Sequence, residues 1–211
     1  MRQVKEIETD LKNYYDLHLE SHGPCAMGVG WKNEAAQQIR FDQLAKIIEP
    51  KSDFTINDLG CGVGDFYHYL SAKQKLHFQY YGYDILESML SVAKARFTAS
   101  ENAHWIKIDN ANELLAADYT IASGIFNLKY TIGLSEWMDY ILDTLNQMNE
   151  KSKLGFAFNM LTTYSDKEFM KEELYYSDPL FFFDLCKRSF SKNVALLHDY
   201  REYDFTILVR K

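Results

Sequence analysis

The chain predicts an α/β fold: a seven-stranded, mostly parallel sheet with helices on both faces, an antiparallel C-terminal hairpin and an N-terminal helical cap. Three observations predict it. From residue 54 onward, short apolar, aromatic or β-branched runs alternate with helical periodicity, the pattern of parallel strands with covering helices. The last two runs are joined only by the short charged connector Tyr200 to Asp204, as in an antiparallel hairpin. Ahead of the first strand, apolar residues recur at steps of three and four, one face of a helix.

The cap is assigned to residues 1–32 and the core to 33–211, a single domain. Val4, Ile7, Leu11, Tyr14, Tyr15, His18 and Leu19 form the stripe of the first helix, which Ser21-His22-Gly23-Pro24 breaks. The glycine-rich loop Gly28-Val29-Gly30-Trp31 leads to Asn33, an N-cap for a helix running to Glu49 before Pro50. Phe54 to Asp58 reads as a strand and Phe66 to Lys73 as a helix. Phe78 to Asp84 is a tyrosine-rich strand; Leu86 to Ala99 is a helix with Met89, Leu90, Ala93 and Phe97 inward. His104 to Ile108 is a short strand, Tyr119 to Ile125 an apolar one, and Ser135 to Met148 a helix. Leu154 to Leu161 is a strand, followed by a polar, mostly helical stretch. Ser177-Asp178-Pro179 starts the last helix, Leu180 to Ser189, because a capping residue precedes a proline that needs no N–H there. Val194 to Asp199 and Phe205 to Val209 complete the sheet.

Composition narrows the function classes. A chain of 211 residues, 47% hydrophobic and with three prolines, has enough apolar mass for a folded core. Its net charge of −7 argues against a nucleic-acid binder, which carries a basic face. Cys25, Cys61 and Cys186 are odd in number and far apart, so neither a disulfide framework nor a metal site is indicated. The charged start Met1 to Glu6 lacks a signal core and no apolar run reaches a membrane span, which together read as a soluble cytoplasmic protein. Fifteen tyrosines and 14 phenylalanines build a bulky core, and also suit a pocket of aromatic faces for a cationic cofactor.

Ligands of such sheets bind beyond the carboxyl ends of the strands, so each strand end is a candidate site. The first strand delivers Asp58-Leu59-Gly60-Cys61-Gly62-Val63-Gly64, where glycines at every second position let a backbone turn sharply and lie against a ligand. The second delivers Asp84, 24 residues after Gly60, whose carboxylate can accept both hydroxyls of a ribose diol. The third delivers Asp109-Asn110, able to accept from an exocyclic amine, and the fourth Ser123-Gly124-Ile125-Phe126-Asn127. A nicotinamide dinucleotide prefers G-x-G-x-x-G. Here the spacing is G-x-G-x-G, Asp65 occupies the place of the third glycine, and Asp58 precedes the first. An acid at a helix start repels a pyrophosphate, so a phosphate-free cofactor with a positive centre fits better.

These residues resemble the class I S-adenosylmethionine-dependent methyltransferases. Asp58 to Gly64 is similar to the family's first motif, and Tyr81-Gly82-Tyr83-Asp84-Ile85-Leu86-Glu87-Ser88-Met89-Leu90 resembles its second. The terminal hairpin resembles the family's last two strands, and the likeness covers residues 33–211. It implies a Rossmann-like fold with S-adenosylmethionine as cofactor and S-adenosylhomocysteine as product. It further implies that Gly60, Cys61 and Gly62 pass their backbone along the methionine part and that Asp84 holds the ribose, with Ile85 packing on the adenine. Asp109 and Asn110 would contact the adenine edge, and Ser123 would present its backbone near the amino-acid end.

Methyl transfer from a sulfonium is an in-line displacement with a neutral leaving group, so alignment dominates, with a base added where the acceptor is a hydroxyl or an ammonium. His22, in a loop able to fold over the site, and Tyr14 on the cap helix are the candidates for that role. Of Tyr14 and Tyr15, one packs and the other presents a hydroxyl. Trp31 either covers the cofactor's sulfonium or anchors the cap. Arg40, beside a buried stripe, either binds the cofactor carboxylate or pairs with a structural acid. Asn127-Leu128-Lys129-Tyr130 lacks the prolines of a motif that some relatives use on DNA bases or amide nitrogens. The reading is therefore a methyltransferase for a small molecule, with Phe169 to Phe183 helping to form the acceptor pocket. A protein or RNA acceptor, or a binding module without chemistry, are the alternatives, and a nicotinamide-dependent reductase is disfavoured by the glycine spacing.

Overall fold

Phe54–Leu59 is a strand with five of its six residues buried, as expected where both faces of a sheet are covered. It is β1 of seven: β2 (Phe78–Asp84), β3 (Ala103–Lys107), β4 (Ala117–Ala122), β5 (Ser152–Leu161), β6 (Asn193–Leu197) and β7 (Asp204–Arg210) follow. The computed structural model describes residues 2–49, 53–73, 77–200 and 202–211, excluding the side chains of residues 2–8 and 10. The strand order is β3-β2-β1-β4-β5-β7-β6. All pairs are parallel except β5 with β7 and β6 with β7, so the sheet is mixed with an antiparallel C-terminal hairpin.

Among the described residues six α-helices surround it: α1 (Arg2–His22), α2 (Glu34–Leu44), α3 (Asp65–Ser71), α4 (Glu87–Arg96), α5 (Leu134–Lys151) and α6 (Pro179–Ser189). The predicted starts of α2 and α6 are capped as their residue types demand: Asn33 Oδ1 accepts from Ala36 N–H at 2.8 Å, and Asp178 Oδ1 from Leu180 N–H at 2.9 Å. Strand side chains alternate between the two faces. Phe156, Phe158 and Met160 of β5 join Phe205, Ile207 and Val209 of β7 under Trp137, Ile141 and Leu145 of α5 and Phe182 of α6. Ala157 and Leu208 face the other way, towards Phe41 and Leu44 of α2 and Phe66 and Leu70 of α3.

Three expectations change. The stretch 162–176 is not mostly helical; only Lys167–Phe169 forms a short 3-10 turn. Its backbone bonds go outward instead: Thr163 N–H to Ser177 C=O, and Tyr175 N–H to Asn127 C=O, which a helix could not make. β4 ends at Ala122 rather than Ile125, because Gly124 turns to φ +79° and gives its N–H to Asn159 Oδ1 at 2.7 Å. The helix predicted to Glu49 ends at Leu44 and continues as a 3-10 turn, Ala45–Ile47; Pro50, its expected stop, lies outside the described residues.

The chain order reverses between β1 and β4: β2 and β3 lie outward of β1, and β5 lies outward of β4 on the other side. That reversal opens a crevice at the carboxyl ends of the strands.

Candidate active site

At the mouth of the crevice the loop after β1 meets the loop after β4. A Cβ on Gly60 would stand 2.2 Å from Ile125 Cγ2, and Gly60 sits at φ +77°, so only glycine lets the two loops approach. The N–H groups of Gly60 and Cys61 donate to Tyr83 C=O at 2.8 and 2.9 Å. The next N–H, from Gly62, donates to Asp84 Oδ2 at 2.9 Å, while Leu86 N–H donates to Oδ1 at 2.9 Å. Asp84 is thus oriented by backbone from two loops, and each oxygen keeps a lone pair for a ligand. Burial pushes its carboxyl above the usual carboxylate range, against the pull of those backbone donors.

The two loops, the start of α4, α1 and Trp31 enclose a cavity of about 220 Å³. Tyr14 and Tyr15 of α1 reach into it, beside the loop that carries Gly30. Burial, aided by Glu173, raises the Tyr14 phenol above its ordinary value, so Tyr14 faces the cavity as a hydrogen-bond donor. This argues against the basic role expected for it.

Three acids line the cavity: Asp58, Asp65 and Asp84. Asp65 is held by Arg96 at 2.7 Å and by Gln37 Nε2 at 3.0 Å. Asp58 is 2% exposed and accepts the Tyr80 hydroxyl. Burial pushes its carboxyl up to about 7; the Tyr80 bond opposes the rise and the neighbouring Asp84 and Asp65 add to it. Among the described residues lining the cavity there is no Lys, Arg or His. Ser123 also lines it, and its Oγ is buried without a partner. An acid-lined cavity with an orphaned hydroxyl suits a cationic ligand that carries polar groups of its own.

Eight of the expected site residues converge here: Tyr14, Trp31, Gly60, Cys61, Gly62, Asp84, Ile85 and Ser123. Four do not. Arg40 lies outside the cavity wall, with its guanidinium held by Asp204 at 2.8 and 2.5 Å; of its two expected roles, it plays the structural one. Asp109 points to solvent with its side chain 80% exposed, pairing with Lys107, and the cavity wall stops one residue earlier at Ile108. Asn110 caps the short turn Ala111–Glu113 in a reciprocal capping box with Glu113, which uses its side chain locally. His22 is exposed at the end of α1, away from the cavity. Of the aromatic segment Phe169 to Phe183, only Leu174 lines the cavity; Phe169 is instead an exposed ring against Tyr203.

Gln37 and Tyr140 line the cavity without having been expected there. For Gln37 a signal existed: a polar residue on the same buried stripe as Ala36, Arg40, Phe41 and Leu44. For Tyr140 none did, because α5 carries an ordinary amphipathic pattern.

Comparison with known proteins places the geometry in a family. Residues 56–149 match the family model described as a methyltransferase domain. A Mycobacterium tuberculosis protein that bears the name of a methyltransferase is 47% identical over 169 residues, covering 79% of this chain and 98% of its own. Among solved structures, magnesium protoporphyrin IX methyltransferase from Synechocystis PCC 6803 with bound S-adenosylhomocysteine superimposes with a TM-score of 0.66 at 16% identity, covering 97% of this chain and 100% of that one. The N-methyltransferase NodS from Bradyrhizobium japonicum WM9, also bound to S-adenosylhomocysteine, gives 0.67 at 12% identity over 95% and 98% of the two chains.

Proposed function

We propose that this chain, which belongs to the class I S-adenosylmethionine-dependent methyltransferases, transfers the methyl group to a small molecule. One observation supports the acceptor class: α1 and the Trp31 loop overhang the cavity of about 220 Å³. An overhung cavity that serves a cofactor gives access to a small acceptor rather than to a folded macromolecule. The net charge of −7 agrees, since a nucleic-acid acceptor would be repelled. Among the described residues no helix is long and apolar enough to cross a membrane.

The residues fit the cofactor by charge and by shape. S-adenosylmethionine supplies a methyl group on a sulfonium, already activated for displacement. In our reading Asp84 receives the ribose hydroxyls on its remaining lone pairs, and Ile85 packs on the adenine. The backbone of Gly60 to Gly62 follows the methionine part, with Ser123 at the amino-acid end and its unpartnered hydroxyl as an added polar contact. Asp58 supplies the negative charge opposite the cation. Tyr14 and Trp31 wall the acceptor side and exclude water. Alignment then accounts for most of the rate, with effective molarities of about 10⁵–10⁸ M available to a well-oriented pair.

The test is transfer of a labelled methyl group from S-adenosylmethionine into fractionated metabolite pools, with bulk RNA and protein as parallel acceptors. Label in a low-mass fraction is the expected result. Label confined to RNA or protein would overturn the small-molecule reading, and cofactor binding without label anywhere would favour a binding module.

A further inference from the structure

Arg40 stands outside the cavity, yet it touches a residue that walls it. Its Cζ lies 4.5 Å from the centroid of the Trp31 ring. Both edges of the guanidinium are engaged: Nε donates to Asp204 Oδ2 at 2.8 Å and Nη2 to Asp204 Oδ1 at 2.5 Å, with Glu202 Oε2 a further 3.3 Å partner. Nη1 donates to Ala36 C=O at 2.7 Å. Asp204, at the start of β7, is 0% exposed, and the Arg40 side chain is 7% exposed. A planar cation pinned along its edges cannot rotate, so only its face is left to meet a neighbour.

That neighbour is the indole of Trp31. The Cζ2–Cη2 edge of the indole lies against the loop after β4: a Cβ on Gly124 would stand 2.9 Å from Trp31 Cζ2 and 3.0 Å from Cη2. Trp31 therefore touches both Arg40 and Gly124, the residue after Ser123, whose hydroxyl has no partner. In the loop itself, Trp31 N–H donates to Ala26 C=O at 2.9 Å.

We propose that Arg40 is a positioning residue: locked by Asp204, its guanidinium holds Trp31 against Gly124 and so sets the width of the cavity on the Ser123–Gly124 side. The proposal rests on the reading of this cavity as the cofactor and acceptor site. A purely structural role, tying α2 to β7, would stabilise the fold without controlling Trp31. Lysine separates the two, because it keeps a positive charge opposite Asp204 but has no plane to stack and no fork to pin.

The experiment labels the protein with 5-fluorotryptophan. The three tryptophans give three fluorine resonances, and Trp31→Phe identifies the one from Trp31. In Arg40→Lys, and in Asp204→Asn as a second route to the same release, the Trp31 resonance shifts and broadens while the other two stay. Calorimetric affinity for S-adenosylmethionine falls about threefold to thirtyfold, the span from an exposed to a desolvated cation–π contact. In a Trp31→Ala background, Arg40→Lys adds nothing further, since the two residues act as one unit. An unmoved Trp31 resonance with a lowered melting temperature would overturn the proposal, and so would additive losses in the double variant. If the unmodified protein binds no S-adenosylmethionine, the site reading fails, and the fluorine spectra still decide whether Arg40 holds Trp31.

Discussion

Replacing Asp58 by Asn should make the unliganded protein more stable and its cofactor binding weaker and less sensitive to pH. The carboxyl is 2% exposed, and burial is the main cause that pushes it to about 7 from an ordinary 3.8. A folded value above the unfolded one means that the fold prefers the protonated acid. The stabilisation is complete below about pH 4 and is lost as pH rises through about 7. At about 1.36 kcal/mol per pH unit the gap corresponds to about 4 kcal/mol, a ceiling that the Tyr80 hydrogen bond and any cavity water reduce. Asparagine keeps the acceptor for Tyr80 and removes the charge. Urea unfolding from pH 5 to 8.5 should therefore show the variant overtaking the parent as pH rises, by about 1–4 kcal/mol at pH 8. Binding runs the opposite way. A cationic ligand favours the ionised acid, so affinity of the parent for S-adenosylmethionine should climb up to about tenfold per pH unit below 7 and then level off. Calorimetry at the same pH values reads this directly. If the parent's stability is flat from pH 5 to 8.5, or if Asp58→Asn keeps the same affinity slope, another group titrates and the argument fails.

Asp84→Asn turns one carboxylate oxygen into an NH₂ facing a backbone donor, Gly62 or Leu86, and each lost charge-assisted bond is worth about 1.5–3 kcal/mol. Its dissociation constant for S-adenosylmethionine should rise about a hundredfold, at about 1.4 kcal/mol per tenfold, and a change under about threefold would remove Asp84 from the binding role. Gly60→Ala places a Cβ 2.2 Å from Ile125 at φ +77°, and chemical denaturation should show a loss of about 1–3 kcal/mol. Adding Ile125→Ala should restore part of that loss, because it relieves the clash but not the dihedral strain; full recovery would mean that the dihedral costs nothing.

What was legible follows from how local the cause is. β1 and β2 are short, almost wholly buried runs, and each ends in an acid and a turn; sequence periodicity reads these directly. Asp58, Gly60 and Asp84 are legible for the same reason, since the chain leaves each strand end at the crevice whatever else it does. Asp109 shows the limit of the rule. It too follows a strand, β3, but β3 is the edge of the sheet, two strands from the switch point, and there the residue meets solvent and Lys107. Position along the chain identified a strand end; only position across the sheet decides whether a strand end faces the ligand.

The residues roofing the site were harder still, because their causes are distant. A charge on the buried stripe of α2 had to be neutralised, and the sequence allowed two partners for Arg40: a ligand in the cavity or an acid elsewhere. The acid is Asp204, 164 residues away on the hairpin strand that closes the sheet. No window of sequence contains both. Once that pair forms, Arg40 has only a face to offer, and the offer goes to Trp31, nine residues back on the other side of the helix start. The C-terminal hairpin, which the sequence marks as ordinary antiparallel structure, thereby reaches the opposite end of the chain and shapes the wall of the cavity. A cavity wall assembled this way can change its width through substitutions at β7 that do not themselves line the cavity, while the glycine loop and Asp84 stay as they are.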